Sequence, residues 1–232
     1  MTTAVAVNLV KYVHNTPRDV SQYMAFSSLQ QEFQVYPFCF PGEVEFFKKN
    51  YGVKPWLLSQ DSRSLVGGHR QLPFIKEMIE TVLESSGIQW IGFINSDILV
   101  TPKLSKMIES LGPYSPVPTI QAVIAHRTDV DSFVHTPVDR DILHNGVDTF
   151  FMRRLTWRLM ISDYPNWVLG EPGWGQGTVK WCQLHGIPFK SLKGHETLHE
   201  RHDAYWKKRA TPATAHNQDL YRQVCRELGK KG

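Results

Sequence analysis

In the first hundred residues, runs of buried-strand character alternate with stretches of helical spacing, and this alternation restricts the fold more than any other feature. Residues 4–13 (AVAVNLVKYV) form a β-branched, nearly continuous apolar run, as a strand covered on both faces requires. Thr16 follows as an N-cap with Pro17 at the first helical position, and Tyr23, Phe26 and Leu29 recur at helical spacing. A second strand is expected over 33–40, ended by Pro41-Gly42, then a short helix over 43–50 and a strand over 53–58. Leu72, Ile75, Ile79, Val82 and Leu83 make the stripe of a longer helix, which Gly87 terminates. Residues 90–98 (WIGFINSDI) read as another buried strand. Strands and amphipathic helices in this order imply parallel β-α-β units. The expectation is an α/β fold with a mainly parallel sheet flanked by helices on both faces. Ligands of such sheets gather at the carboxyl ends of the strands, which directs attention to residues 11–16, 59–63 and 95–98.

The second half is less regular. Strands are expected over 120–126 and 147–153, a polar loop over 130–143, and a helix from about 178 to 185 after a stretch rich in Pro, Gly and Trp. A His-rich segment over 194–206 precedes the C-terminal tail. The 232 residues, 41% of them apolar, suit one sizeable domain with a C-terminal elaboration. Beyond residue 206 there are seven basic and two acidic side chains, against a net charge of +4 for the chain, so the main body is slightly acidic. That argues against a nucleic-acid partner. The basic tail reads either as a solvated helix end or as a peripheral contact with an anionic membrane surface. No apolar run approaches a membrane span and no signal-peptide pattern opens the sequence. With only three cysteines, Cys39, Cys182 and Cys225, a reduced, cytoplasmic setting is expected. A P-loop and a G-x-G-x-x-G fingerprint are both absent.

Asp97 is the first candidate for chemistry. It closes an apolar strand after Asn95 and Ser96, where an ionised carboxylate needs a partner or a metal. The plain alternative is a turn cap ahead of Thr101-Pro102. A second motif competes with it: His195-Glu196-Thr-Leu-His199 spells H-E-x-x-H, which on a helix binds zinc in metallopeptidases. Gly194 directly before the first His, and a distant third-ligand candidate only at Glu227, argue against that reading.

The segment Phe93-Ile-Asn-Ser-Asp-Ile-Leu-Val resembles the strand and D-x-D-like motif of GT-A nucleotide-sugar glycosyltransferases, with Asn95 in place of the first acid and Asp97 as the second. Asp61-Ser-Arg63, Arg70 and Lys76 resemble the family's nucleotide-binding stretch. Asn145-Gly-Val-Asp148 is similar to its donor-sugar strand, and Leu169-Gly-Glu171-Pro-Gly-Trp-Gly-Gln to an acceptor-side loop carrying G-W-G. Gln176-Gly177 stand where relatives often carry acids. The resemblance covers roughly residues 4–206 and implies a nucleotide half over about 1–100, an acceptor half over about 101–206, and a basic helical tail over 207–232. It also implies a nucleotide-diphosphate sugar donor, a UDP-sugar favoured, a glycan or other hydroxyl acceptor, and Mn2+ or Mg2+.

In such a site Asp97 would hold the metal, which stabilises charge developing on the leaving diphosphate. Glu171 would serve as base toward the acceptor hydroxyl and Asp148 would bind donor-sugar hydroxyls. The bland readings are a strand cap for Asp148 and a solvated loop for Glu171. Asp61 would accept from a base N–H, while Arg63 would pack on the base or reach a phosphate. One of His195, His199 and His202 would be a further metal or diphosphate ligand, His195 first. Trp174, Trp181 and Trp206 would stack on sugars or fill the core. A non-catalytic nucleotide-sugar or carbohydrate-binding module is the remaining alternative.

Overall fold

The computed structural model describes residues 2–13, 15–112, 120–134, 142–201 and 211–230, excepting the side chains at 142, 144 and 145. His202, Trp206 and residues 135–141 of the loop expected over 130–143 lie outside the described residues.

The first half folds as its alternation implies. Strand β1 (Thr3–Asn8) is followed by α1 (Pro17–Glu32), β2 (Gln34–Cys39), α2 (Val44–Tyr51), β3 (Trp56–Leu57), α3 (Ser62–Leu65), α4 (Ile75–Leu83) and β4 (Trp90–Ile94). The Thr16 side chain accepts from Asp19 N–H at 3.4 Å and Pro17 opens α1, so the helix starts where local chemistry satisfies its first amides. Strands β1, β2, β3 and β4 pair in parallel. Along β1, Ala4 and Ala6 join one core with Phe38, Met78, Phe93 and Trp157. Val5 and Val7 join the other with Phe26, Leu29, Ile94 and Leu104. Both faces of the strand are therefore covered, which is why its sequence is apolar without alternation.

The second half adds β5 (Ile98–Val100), α5 (Pro102–Ser110), β6 (Ala122–Val130), β7 (Ile142–Arg153), α6 (Arg154–Met160), α7 (Trp174–Leu184), β8 (Phe189–Glu200) and α8 (Pro212–Gly229). Among the described residues the eight strands form one sheet in the order β3-β2-β1-β4-β7-β6-β8-β5. The sheet is mixed. β7 runs antiparallel to β4 and β6, and β5 antiparallel to β8, while β6 and β8 are parallel. Gly92 sits where β4 meets β7 so closely that a Cβ would strike the Phe151 ring and the Phe150 carbonyl.

The structure departs from the sequence reading at four places. The run 90–98 is not one strand: it breaks after Ile94, and Ile98 departs to pair with His199 on β8. The His-rich segment through Glu200 is a strand, and the helix expected from 178 begins at Trp174. The stretch past about 210 is not a free tail. Helix α8 buries Ala213, Thr214, Asn217 and Val224 and packs against α7. Among the described residues, no helix is long and apolar enough to cross a membrane.

Candidate functional site

A cleft of about 510 Å³ opens at the carboxyl ends of β1 and β4 and is closed on its far side by β7, β8 and the first turn of α7. Its position is the one the strand-end rule selects. Asn95, Asp97, Asp148, Arg70 and Glu171, all candidates from the sequence, line it together. The antiparallel pairing of β4 with β7 ends at Ile94 and Thr149 and brings Asn95 against Asp148: Asn95 N–H donates to the Asp148 carbonyl at 3.2 Å.

Charged side chains run through this cleft in alternating sign. His199 Nε2 lies 3.5 Å from Asp97 Oδ2 and Nδ1 lies 3.0 Å from Asp129 Oδ1. Arg127 Nε is 3.0 Å from the same Asp129 oxygen, and its Nη1 is 3.0 Å from Asp148 Oδ2. Asn95 Nδ2 donates to Asp148 Oδ1 at 2.7 Å. Burial pulls the His199 imidazolium toward neutrality, but the hydrogen bonds to Asp129 and Asp97 outweigh it and raise the pKa to about 9. Burial raises the Asp148 carboxyl, against the opposing pull of Arg127. Arg18 and Tyr12 also line the cleft, and burial raises the Tyr12 phenol. The side-chain carbonyl oxygens of Asn8 and Asn95, two residues of the cleft lining, are buried without a hydrogen-bond partner.

Glu171, expected as the base, lies buried at the cleft wall. Its side chain is 0% exposed, with Oε1 2.9 Å from Arg70 Nη1. Oε2 accepts from Thr214 Oγ1 at 2.7 Å, so both oxygens are engaged. It is not on a solvated loop. Asp61 and Arg63 stand outside the cleft and satisfy each other: Asp61 caps α3 by accepting from Arg63 N–H at 2.9 Å, and the two side chains pair at 2.6 Å. Lys76 donates to the Ser162 carbonyl at 2.9 Å, also away from the cleft.

His195, the histidine first expected beside Asp97, lies outside the cleft lining, and its carbonyl accepts from Thr101 Oγ1 at 2.8 Å. His199 occupies the place instead. The H-E-x-x-H letters fall on β8, with an irregularity in its pairing to β6 between Lys193 and Leu198, so the helical geometry that would turn both histidines to one zinc does not form. Among the described residues, no three His, Cys, Asp or Glu side chains converge as a metal site. Trp174 reaches the cleft wall, whereas Trp181 is core, stacked on Trp157 with ring centroids 6.5 Å apart.

The residues that sequence reasoning missed are Asn8, Tyr12, Arg18, Arg127, Asp129 and Arg201. Tyr12 fell within a flagged strand end. Arg127 and Asp129 carry no local signal, since only the pairing of β6 with β7 and β8 brings them to the site.

No protein-family model matches the chain and no curated protein sequence matches it. Solved structures do match. S. aureus TarS 1-349 superposes with a TM-score of 0.56 at 11% identity, over 98% of this chain and 65% of that one. TarS 1-349 in complex with UDP-GlcNAc gives 0.60 at 11% identity, over 98% and 66%. Its complex with UDP gives 0.53 at 11% identity, over 98% and 64%. This chain thus spans a little under two thirds of the length of TarS 1-349, and what the two share is the fold.

Proposed function

We propose that this chain is a GT-A-type glycosyltransferase that binds a nucleotide-diphosphate sugar, a UDP-sugar favoured, in the cleft at the ends of β1 and β4, and transfers the sugar to a glycan or other hydroxyl acceptor. The observation that carries this reading is the cleft itself: Arg18, Arg70 and Arg127 stand beside Asp97 and Asp148 at the strand ends of a fold shared with a protein captured with UDP-GlcNAc. Transfer builds negative charge on the leaving diphosphate, and guanidinium groups facing it stabilise that charge with little reorganisation. Asp148, held by Asn95 and Arg127, suits the binding of donor-sugar hydroxyls.

The residues fit a hard divalent cation, Mn2+ or Mg2+. Asp97 is 33% exposed at the cleft, His199 Nε2 is beside it, and the side-chain Oδ1 of Asn95 is a hard donor atom without a hydrogen-bond partner. Asp97 and His199 would hold the ion, His199 after losing its proton. The metal would supply charge stabilisation at the diphosphate.

The burial of Glu171 and the Gln176-Gly177 pair at the start of α7 favour one second reading, a nucleotide-sugar-binding module without turnover. Titration of the protein with UDP-GlcNAc and UDP, with and without Mn2+, tests both. Binding lost in Asp97→Asn, together with sugar transfer or donor hydrolysis, supports the transferase. Binding with no turnover across a panel of acceptors selects the module. Failure of nucleotide diphosphates to bind removes both.

A further inference from the structure

We infer that Glu171 is a positioning residue for Arg70 and that helix α8, through Thr214, fixes the pair, so that the C-terminal helix sets the placement of a guanidinium in the donor cleft; this rests on the nucleotide-sugar reading above. Arg70 is 42% exposed and lines the cleft, while its Nη1 is anchored on a carboxylate that is itself 0% exposed. A buried carboxylate is costly unless both oxygens find donors. Here one donor is Arg70, at 2.9 Å, and the other is the Thr214 hydroxyl on the first turn of α8, at 2.7 Å. Removing the hydroxyl leaves Oε2 with one donor fewer in a site that water does not reach, and the carboxylate is then free to turn away from Arg70.

The surroundings bind α8 to both segments that carry the pair. On the Glu171 side, Asn217 Nδ2 donates to the carbonyls of Val168 at 2.9 Å and of Glu171 at 3.2 Å, and its Oδ1 accepts from Val168 N–H at 2.9 Å. Gly173, with φ of 108°, lets this turn pass so close that an added Cβ would lie 3.1 Å from Asn217 Cβ. On the Arg70 side, the loop folds back through Ser62, whose N–H donates to the Leu72 carbonyl at 3.0 Å and whose hydroxyl donates to the Arg70 carbonyl at 3.2 Å. Gly68, with φ of 106°, lies against Pro212 at the start of α8. Under this corner Leu72, Phe74, Val168 and Ala213 form a small apolar cluster of their own, separate from the two main cores. The placement of Arg70 is therefore shared among three chain segments, of which the first lies about a hundred residues or more before the other two, and α8 touches both of the others.

The pair is tested with Thr214→Val, which keeps the shape of the side chain and removes its hydroxyl, and with Thr214→Ser, which keeps the hydroxyl. UDP affinity is measured by calorimetry on the full chain, and Tm is recorded for each variant. Thr214→Val should weaken UDP about threefold to tenfold, and Thr214→Ser should restore affinity to within about twofold of wild type. In an Arg70→Ala background Thr214→Val should produce no further loss, because the contact acts through the guanidinium. Glu171→Gln, of the same volume, should weaken UDP at least as much as Thr214→Val. Wild-type UDP binding with Thr214→Val unaffected overturns the inference and leaves the functional reading standing. Equal losses from Thr214→Val in the wild-type and Arg70→Ala backgrounds overturn it too, since they would mark a general structural effect. No UDP binding by the wild type removes the functional reading and the inference with it.

Discussion

Asn95 donates its side-chain amide to Oδ1 of Asp148 at 2.7 Å, so the residue two positions before Asp97 is a hydrogen-bond donor to a buried carboxylate. Burial already raises the Asp148 carboxyl and the charge of Asp97 adds to it, while Arg127 and His199 pull the other way. An aspartate at 95 would set two carboxylates at hydrogen-bond distance, where both cannot ionise. An asparagine at 95 thus supplies the donor that Asp148 requires.

Asn95→Asp should therefore lose stability near pH 8, by about 1–3 kcal/mol for a buried acceptor facing like charge. Near pH 5 the pair shares a proton and regains its hydrogen bond, so the loss shrinks. Urea unfolding of wild type and variant at both pH values measures this. A loss independent of pH would mean that the contact is not the one that matters.

His199 gives a pH dependence of opposite sense. Its pKa rises from 6.5 to about 9 on folding, so the folded state holds the proton more tightly than the unfolded chain. The stability this lends is complete below about pH 6.5 and is lost as pH climbs through 9. His199→Asn should accordingly be most destabilising near pH 6 and approach the wild type near pH 9.5, as read from paired unfolding curves in metal-free buffer. A gap that stays constant across this range would show that Asp97 and Asp129 do not keep the imidazole charged.

Much of this architecture is legible in the sequence, and the boundary is physical. β1, α1 and α4 carry their own signals: a two-faced apolar run, a Thr-Pro start and a stripe ending near a glycine. The strand-end rule then locates the cleft before any contact is known. What could not be read depends on pairing between distant segments. The engagement of Glu171 involves Thr214, 43 positions later, and it is His199, beyond the irregular pairing of β8, that lies beside Asp97. The basic charge after residue 206 suggested solvent exposure, yet the buried face of α8 is made of small and amide-bearing residues, Ala213, Thr214 and Asn217, that make no conspicuous apolar stripe.

The G-W-G element also has a structural meaning. Gly175 lies in the first turn of α7, against β7 next to Asp148, and a Cβ there would collide with the carbonyl oxygen of Val147. Backbone has no rotamer to yield, so Gly175→Ala should destabilise by about 1–3 kcal/mol and weaken nucleotide binding by displacing the cleft wall. Gly42→Ala, where nothing lies within 4 Å, is the control and should leave both unchanged. Chemical denaturation and UDP titration of the two variants make the comparison. A neutral Gly175→Ala would indicate that α7 and β7 are further apart than described.

Helix α8 is tied into the domain by a buried amide. Asn217 is 0% exposed and satisfies both the N–H and the carbonyl of Val168 as well as the carbonyl of Glu171. Asn217→Ala strands these buried backbone groups, each worth roughly 1–3 kcal/mol when left unpaired. At about 2–4 °C per kcal/mol for a chain of this size, the Tm should fall by at least about 5 °C. Ending the chain at residue 210 should be worse, because it also uncovers Leu72, Phe74 and Val168, which pack on Ala213. Differential scanning calorimetry of the point variant and expression of the truncation as soluble protein read the two effects. A truncated chain that melts with the wild type would make α8 an appendage, and the placement of Arg70 would then have to come from the 62–72 loop alone.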